Sequence, residues 1–203
     1  MKNTRFDLRI VIGIIIAHIL IYFTFQDKNI FWHMFTASML ILISYSIFNE
    51  KADSQSSYIQ NFIYGVLSGF LLFTLFWLGD YIIDFFHMPF KKEITALYKY
   101  YSPSNFWHYL TLLFIIVPGE EIFWRGFIQK KLASKVSLPL SITLATLAYA
   151  SVQLYSGYYI HMVAALVGGI YWGILYAWKK NITLNIISHV VFDFCLFILF
   201  PLR

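Results

Sequence analysis

Seven long apolar runs divide this chain, and they restrict its possible folds more than any other feature of the sequence. An α-helix needs about 20 mostly apolar residues to cross the hydrocarbon core of a bilayer. Most of the runs approach this length, and they occupy residues 10–25, 30–48, 62–83, 106–127, 138–153, 160–178 and 182–200. The sequence therefore predicts a polytopic membrane protein with about seven spans.

The spans are predicted to be helices rather than strands. The apolar runs show no alternation with a period of two, which the strands of a membrane barrel require. Backbone groups in lipid must then be satisfied within each helix. Only 12% of the residues are charged, whereas soluble domains usually carry about 25%. We therefore predict the all-α class, as a polytopic membrane helix bundle of about seven transmembrane helices.

The basic residues of the loops predict the orientation of the bundle. With seven spans, nine of them lie on the side of the N-terminus: Lys2, Arg5, Arg9, Lys51, Lys130, Lys131, Lys135, Lys179 and Lys180. Five lie on the opposite side: Lys28, Lys91, Lys92, Lys99 and Arg203. Cytoplasmic loops carry the excess of Lys and Arg, so we expect a cytoplasmic N-terminus. The same loops account for the net charge of +5 without a nucleic-acid partner.

Three charged residues, Glu120, Glu121 and Arg125, lie inside the fourth apolar run. A charge at membrane depth costs about 2.5 kcal/mol or more, so a group of charges there indicates a functional site. Glu121 and Arg125 are one helical turn apart and can pair, whereas Glu120 points about 100° away from Glu121. We therefore predict that Arg125 neutralises Glu121 and leaves Glu120 free for chemistry. The alternative is an ion network that only ties helices together near the interface.

The last apolar run carries a second polar pair, His189 and Asp193. The two residues are again four positions apart, so they form a polar stripe on one helix face. Such a stripe in an apolar helix must face a partner or water, and Glu120 is the predicted partner.

A competing pattern, Asp80, Asp84 and His87, ends the third run. Spacings of four and three could place metal ligands on one helix face. However, Pro89 and Lys91 follow closely, which favours solvated helix ends or ion pairing at the interface.

The charged residues of the fourth and last runs resemble the motifs of the CPBP family of intramembrane proteases. This family includes the CAAX prenyl endopeptidases and bacteriocin-processing or immunity proteins. Its motif E-E-x-x-x-R is met by Glu120, Glu121 and Arg125. Its motif H-x-x-x-N or H-x-x-x-D is met by His189 and Asp193. Both motifs occur in the expected order, and the resemblance covers roughly residues 106–201.

The intermediate motif of the family, F-x-x-x-H, aligns best with the segment from Tyr149 to Gln153. Here the match is incomplete, because Gln153 occupies the position of a catalytic histidine. A carboxamide can position water, but it cannot take and return a proton as an imidazole does.

The resemblance implies an endopeptidase that cleaves a peptide bond inside or beside the bilayer. By resemblance, Glu120 activates water beside Gln153, and His189 donates a hydrogen bond to the oxyanion. Asp193 either orients His189 or is held protonated, because an ionised carboxylate would repel an oxyanion. Glu121 and Arg125 then act as structural support.

Metal dependence is left open by the resemblance. A catalytic zinc site needs three protein ligands and a water molecule, and Gln153 is a poor zinc ligand. The predicted partners are membrane lipids and a peptide or protein substrate, in a bacterial-type plasma membrane. We expect residues 1–105 to supply N-terminal membrane helices and an interfacial segment, and residues 106–203 to form the catalytic core of one membrane domain.

Two other functions remain compatible with the sequence. A catalytically impaired relative would act by binding, as an immunity or scaffold protein. A proton-coupled transporter would use Glu120, Asp193 and His189 as a relay. The transporter hypothesis predicts inverted repeats with broken helices in both halves, whereas the sequence contains only one Pro-Gly break, at Pro118.

Overall fold

The computed structural model describes residues 7–51 and 58–202 of the chain. These residues form helices and no strand, which confirms the all-α class and the polytopic bundle. The helices are α1 Leu8–Gln26, α2 Phe31–Asn49, α3 Tyr58–Phe85, α4 Phe90–Tyr101, α5 residues 106–133, α6 Leu138–Gln153, α7 Tyr159–Lys179 and α8 Ile182–Phe194. Turns at Leu154–Ser156 and Cys195–Leu199 extend α6 and α8. Lys2, Arg5 and Arg203, which enter the loop charge count, lie outside the described residues.

Six of these helices are long and apolar enough to cross a membrane, namely α1, α2, α3, α6, α7 and α8. Many large apolar side chains remain exposed on their outer surfaces, as expected of helices that face lipid. The chain is an integral membrane protein. The remaining predicted span is the fourth apolar run, residues 106–127. It is helical within α5 but is not one of the six, so the structure does not confirm the count of seven.

Helix α5 alternates between α-helical and π-helical turns. Its π turns are Leu112–Ile116 and Ile122–Gln129, and they flank the α-helical segment Val117–Glu121. Pro118 contributes to this irregularity, because it has no N–H to donate to an earlier carbonyl. The N–H of Val117 instead reaches back five residues to the Leu112 carbonyl. Such π turns occur frequently at functional sites.

The core of the bundle is built around α5, which contacts α2, α6 and α8. Helix α3 covers the other side of α8, where Gly65 and Gly69 allow the two backbones to approach closely. A Cβ atom added at Gly69 would lie 2.5 Å from the Ser188 carbonyl oxygen. Helix α7 packs along α6 in the same manner, because a Cβ at Gly169 would lie 2.7 Å from Thr146.

One end of the bundle is held by an ion cluster that joins the ends of α1, α2 and α5. The Lys131 ammonium lies 2.8 Å from a Glu50 carboxylate oxygen and 3.9 Å from an Asp7 oxygen. Hydrogen bonds from the Arg9 side chain lower the pKa of Asp7. Partial burial acts to raise the pKa of Glu50, but Lys131 and Lys130 outweigh it, so this pKa is lowered.

At the other end of the bundle, the short helix α4 overlaps residues 91–105, the segment that the sequence predicts to be interfacial. Its Glu93 carboxylate accepts a 2.8 Å hydrogen bond from the Ile160 N–H at the start of α7. Its Tyr98 hydroxyl donates a 2.9 Å hydrogen bond to the Leu196 carbonyl after α8. Helix α4 therefore ties α7 and α8 together outside the core.

Candidate functional site

Four helices bring polar side chains together in the middle of the bundle. All of these side chains are buried, with at most 6% of each residue exposed. They are Glu120, Glu121 and Arg125 from α5, Tyr149 and Gln153 from α6, Trp172 from α7, and Asn185, His189 and Asp193 from α8. The structure thus brings all six of the predicted site residues into one cluster.

Glu121 is the hub of this cluster. Its Oε1 atom accepts hydrogen bonds from Arg125 Nη1 at 3.0 Å and His189 Nδ1 at 2.9 Å. Its Oε2 atom accepts a 3.1 Å bond from Asn185 Nδ2. A carboxylate that only accepts, from three donors and beside a guanidinium, is the arrangement of an ionised group. Glu121 therefore fixes the positions of α5 and α8 relative to each other.

Glu120 has different partners from Glu121. The Tyr149 hydroxyl donates a 3.0 Å hydrogen bond to Glu120 Oε2. The Gln153 amide lies 3.5 Å from Glu120 Oε1, at the limit of a hydrogen bond. Arg125 does not hydrogen-bond to Glu120; its guanidinium lies over the Tyr149 ring, 4.8 Å from the ring centroid. Glu120 is therefore buried beside two neutral donors, and it makes no direct hydrogen bond to Arg125.

His189 faces Glu120 and Asp193 through its second ring nitrogen. Its Nε2 atom lies 3.9 Å from Glu120 Oε2 and 4.0 Å from Asp193 Oδ1. These separations exceed a direct hydrogen bond and suit groups that share one bound oxygen atom. The direct bond of His189 is to Glu121, whereas the sequence predicted Glu120 as its partner. The Trp172 ring stacks on the imidazole at 3.7 Å and holds its plane.

Within residues 7–51 and 58–202, three buried polar atoms of the cluster have no hydrogen-bond partner: Arg125 Nη2, Gln153 Oε1 and Asn185 Oδ1. Buried polar groups are nearly always hydrogen-bonded, so atoms left free in such a cluster are available to a bound molecule. Of the three side chains that carry these atoms, that of Gln153 also approaches Glu120. The site therefore offers both donors and acceptors beyond those that its own residues satisfy.

The competing pattern at the end of α3 lies outside this cluster. Asp80 forms an ion pair with Lys91, at 3.0 Å, where the chain enters α4. Asp84 is exposed. The ion pair of Asp80 with Lys91 agrees with the interface pairing that the sequence predicted for the end of the third apolar run.

The side chains of the cluster do not fit a catalytic zinc ion. Such an ion takes three ligands from His, Cys, Asp and Glu, and leaves one position to water. Among the described residues, no three such side chains are grouped so that they could hold a metal. The position next to Glu120 carries the neutral carboxamide of Gln153, which is not among these ligands.

Sequence reasoning gave no role to three members of the cluster: Asn185, Trp172 and Tyr149, the last of which it named only as the first residue of the intermediate motif. Two of them lie one helical turn before a predicted site residue, Tyr149 before Gln153 and Asn185 before His189. That spacing places each on the same helix face as its neighbour and could have identified it. Trp172 lies on a different helix from His189, and no spacing in the sequence indicated their contact.

The comparisons with known proteins support one family. Residues 102–195 match the model of the family described as type II CAAX prenyl endopeptidase Rce1-like. This match confirms the resemblance to the CPBP proteases over the segment that contains the whole cluster. No curated protein and no solved structure gives a significant match.

Proposed function

From the similarity of residues 102–195 to the type II CAAX prenyl endopeptidases, we propose that this chain hydrolyses a peptide bond of a membrane-associated substrate, of a CAAX-like or bacteriocin type. The observation that supports the proposal most strongly is the placement of Glu120. Its carboxylate is buried at the centre of the bundle, and an oxygen of it lies 3.9 Å from the free nitrogen of His189. A base and an oxyanion donor at this separation can act on one carbonyl group.

The proposed reaction uses water as the nucleophile. The Glu120 carboxylate removes a proton from water, and the oxygen of that water forms a bond to the carbonyl carbon. The carbonyl π electrons move to its oxygen, which becomes an oxyanion beside His189 Nε2. When the carbonyl re-forms, the C–N bond breaks, and the leaving nitrogen takes the proton that Glu120 held. The products are a carboxylic acid and an amine.

The hydrogen bond to Glu121 determines how His189 takes part. Because Glu121 accepts, His189 Nδ1 carries a proton, so Nε2 can donate only when the ring is an imidazolium. The carboxylates of Glu120, Glu121 and Asp193 surround this ring and favour its positive charge. In this role Asp193 supports the charge of His189, since it makes no direct hydrogen bond to the ring. An oxyanion donor is typically worth about 3 kcal/mol.

A second function, binding without cleavage, is favoured by Gln153. A carboxamide at this position cannot share in proton transfer, and its contact with Glu120 is long, at 3.5 Å. An impaired enzyme with the same buried cluster would still recognise a membrane-associated peptide. Such a protein would serve as an immunity or scaffold protein.

The test is proteolysis of a quenched-peptide library, which includes prenylated peptides, by purified protein in detergent. We expect Glu120→Gln to abolish cleavage and to leave the helix content and expression unchanged, because only the basic oxygen is lost. Asp84→Asn is the matched control, since Asp84 is an exposed carboxylate outside the cluster, and it should cleave as the unmodified protein does. Equal cleavage by Glu120→Gln and the unmodified protein would exclude the protease function.

A further inference from the structure

The hydroxyl of Tyr149 makes the shortest polar contact to Glu120. Its oxygen donates to Glu120 Oε2 at 3.0 Å, whereas the Gln153 amide lies 3.5 Å from the other oxygen. Only 6% of Tyr149 is exposed, so its ring and hydroxyl are held by the protein alone. The shorter bond, to a charged acceptor, is the stronger of the two.

The ring of Tyr149 packs against two neighbouring residues of α5. The Arg125 guanidinium lies 4.8 Å from its centroid, and the Trp124 ring lies 5.6 Å away. A phenol has few rotatable bonds, so packing of the ring also sets the position of the hydroxyl. Tyr149 therefore holds one oxygen of Glu120 in place, as a rigid support would.

Tyr149 occupies the first position of the intermediate motif, and Gln153 replaces the histidine of the same motif. In the motif F-x-x-x-H, the aromatic residue has no polar group and the histidine provides one. This chain differs, because Tyr149 adds a hydroxyl four residues before the carboxamide of Gln153. Both side chains approach the same carboxylate.

We infer that Tyr149 is the positioning residue of the general base: its hydroxyl holds Glu120 Oε2 and directs Glu120 Oε1 to the water. The hydroxyl thereby replaces the support that a histidine at position 153 would give. This inference rests on the proposed function for its kinetic consequence, but the hydrogen bond can be tested without activity.

The kinetic test is Tyr149→Phe, which removes only the hydroxyl. We expect kcat to fall roughly 10- to 100-fold, since a hydrogen bond to a charged group is lost, while KM stays within about twofold. Tyr155→Phe is the matched control. Tyr155 also makes one phenol hydrogen bond, to His18 of α1 at 2.9 Å, and its loss should leave kcat unchanged. An unchanged kcat in Tyr149→Phe would overturn the inference.

A double-mutant cycle separates this role from simple packing. In the Gln153→His background an imidazole can support Glu120, so Tyr149→Phe should lower kcat by less than about threefold. If Tyr149→Phe lowers kcat equally in both backgrounds, Tyr149 acts independently of position 153. That result would overturn the inference that its hydroxyl replaces a histidine at this position.

Infrared difference spectra test the contact even if the protein cleaves nothing. The carboxylate band of Glu120 is assigned by its loss in Glu120→Gln, and it should shift in Tyr149→Phe but not in Tyr155→Phe. If Tyr149→Phe does not fold, the C–O band of labelled tyrosines is compared between the unmodified protein and Glu120→Gln. One tyrosine should then respond to the changed acceptor. No shift in either experiment overturns the inference, whereas a shift without cleavage overturns only the proposed function.

Discussion

At the scale of single residues, the two adjacent glutamates have opposite roles. Glu121 is fully buried, and its two oxygens accept bonds from Arg125, His189 and Asn185. Glu120 accepts only from Tyr149 and, weakly, from Gln153. Neighbours in sequence thus have different partners, because they point about 100° apart on the helix, and in the proposed reaction only Glu120 takes part in the chemistry.

This division predicts that Glu121→Gln destabilises the protein. The change leaves Arg125 buried without a counter-charge, and breaking a buried ion pair typically costs about 3–5 kcal/mol. Thermal unfolding in detergent should show a clear loss for Glu121→Gln and a smaller one for Glu120→Gln. Equal melting temperatures for Glu121→Gln and the unmodified protein would mean that the pair is solvated.

A second prediction concerns Gln153. Gln153→His should raise peptidase activity, or create it, because an imidazole can exchange protons with the water that Glu120 activates. General acid–base catalysis is typically worth about 10²- to 10⁴-fold in rate. The measurement is cleavage of the same quenched peptides. A loss of activity on this change would identify Gln153 as an adapted catalytic residue.

Residue spacing predicted only contacts within one helix. Glu121 and Arg125 are four positions apart, a spacing that predicts an ion pair on one helix face, and the structure contains this pair. The bond of His189 to Glu121, rather than Glu120, depends on how α8 is rotated against α5. That rotation is set by packing between helices, which no local pattern contains.

At the scale of elements, glycine determines how closely the helices approach. Gly65 and Gly69 of α3 face Ile187, Ser188 and Val191 of α8. Small residues spaced four apart bring membrane helices into close contact. Because α8 carries His189, this contact also supports the candidate site.

Gly69→Val should therefore separate α3 from α8. The added side chain would collide with the Ser188 carbonyl and with Val191, so we expect lower thermal stability and lower activity. Gly79→Val on the same helix is the control, since a Cβ there meets no atom within 4 Å. If the two variants unfold at the same temperature, the close approach at Gly69 contributes nothing.

The elements were easier to predict than the contacts between them. Apolar runs that approach about 20 residues predict membrane helices, and six of the seven runs are confirmed as candidate spans. The π turns of α5 did not follow from composition. They flank the segment that contains Pro118, Glu120 and Glu121, whose two carboxylates bond to α6 and α8.

At the scale of the whole molecule, the orientation remains a prediction. Cysteines introduced at Lys130, Lys131, Lys179 and Lys180 should react only from the cytoplasmic side, because basic residues are retained there. Labelling by an impermeant reagent in intact cells, beside permeabilised cells, provides the measurement. Reaction from outside would overturn the orientation with a cytoplasmic N-terminus.

The ion cluster at the ends of α1, α2 and α5 predicts a loss of stability in acid. The pKa values of Asp7 and Glu50 are lowered in the folded protein, so their contribution is fully present above their unfolded pKa values, about 4. It disappears as the pH falls through the folded values. Melting temperatures should decrease below about pH 4, and less so in Lys131→Met, which removes the nearest cation of Glu50 but leaves Asp7 paired with Arg9. The same decrease in that variant would assign the effect to carboxylates other than Glu50.

The irregular turns of α5 also bear on how many residues its second half can contain. A π turn accommodates one residue more than an α turn of the same length. On one side of the turn Ile122–Gln129, Glu121 is bound to His189, and on the other side Lys131 is bound to Glu50. Removal of one residue from this turn can convert it to an α turn and keep both anchors in register, whereas insertion of a further residue would rotate one anchor by about 100° against the other. The stretch between the two anchors therefore tolerates a deletion better than an insertion.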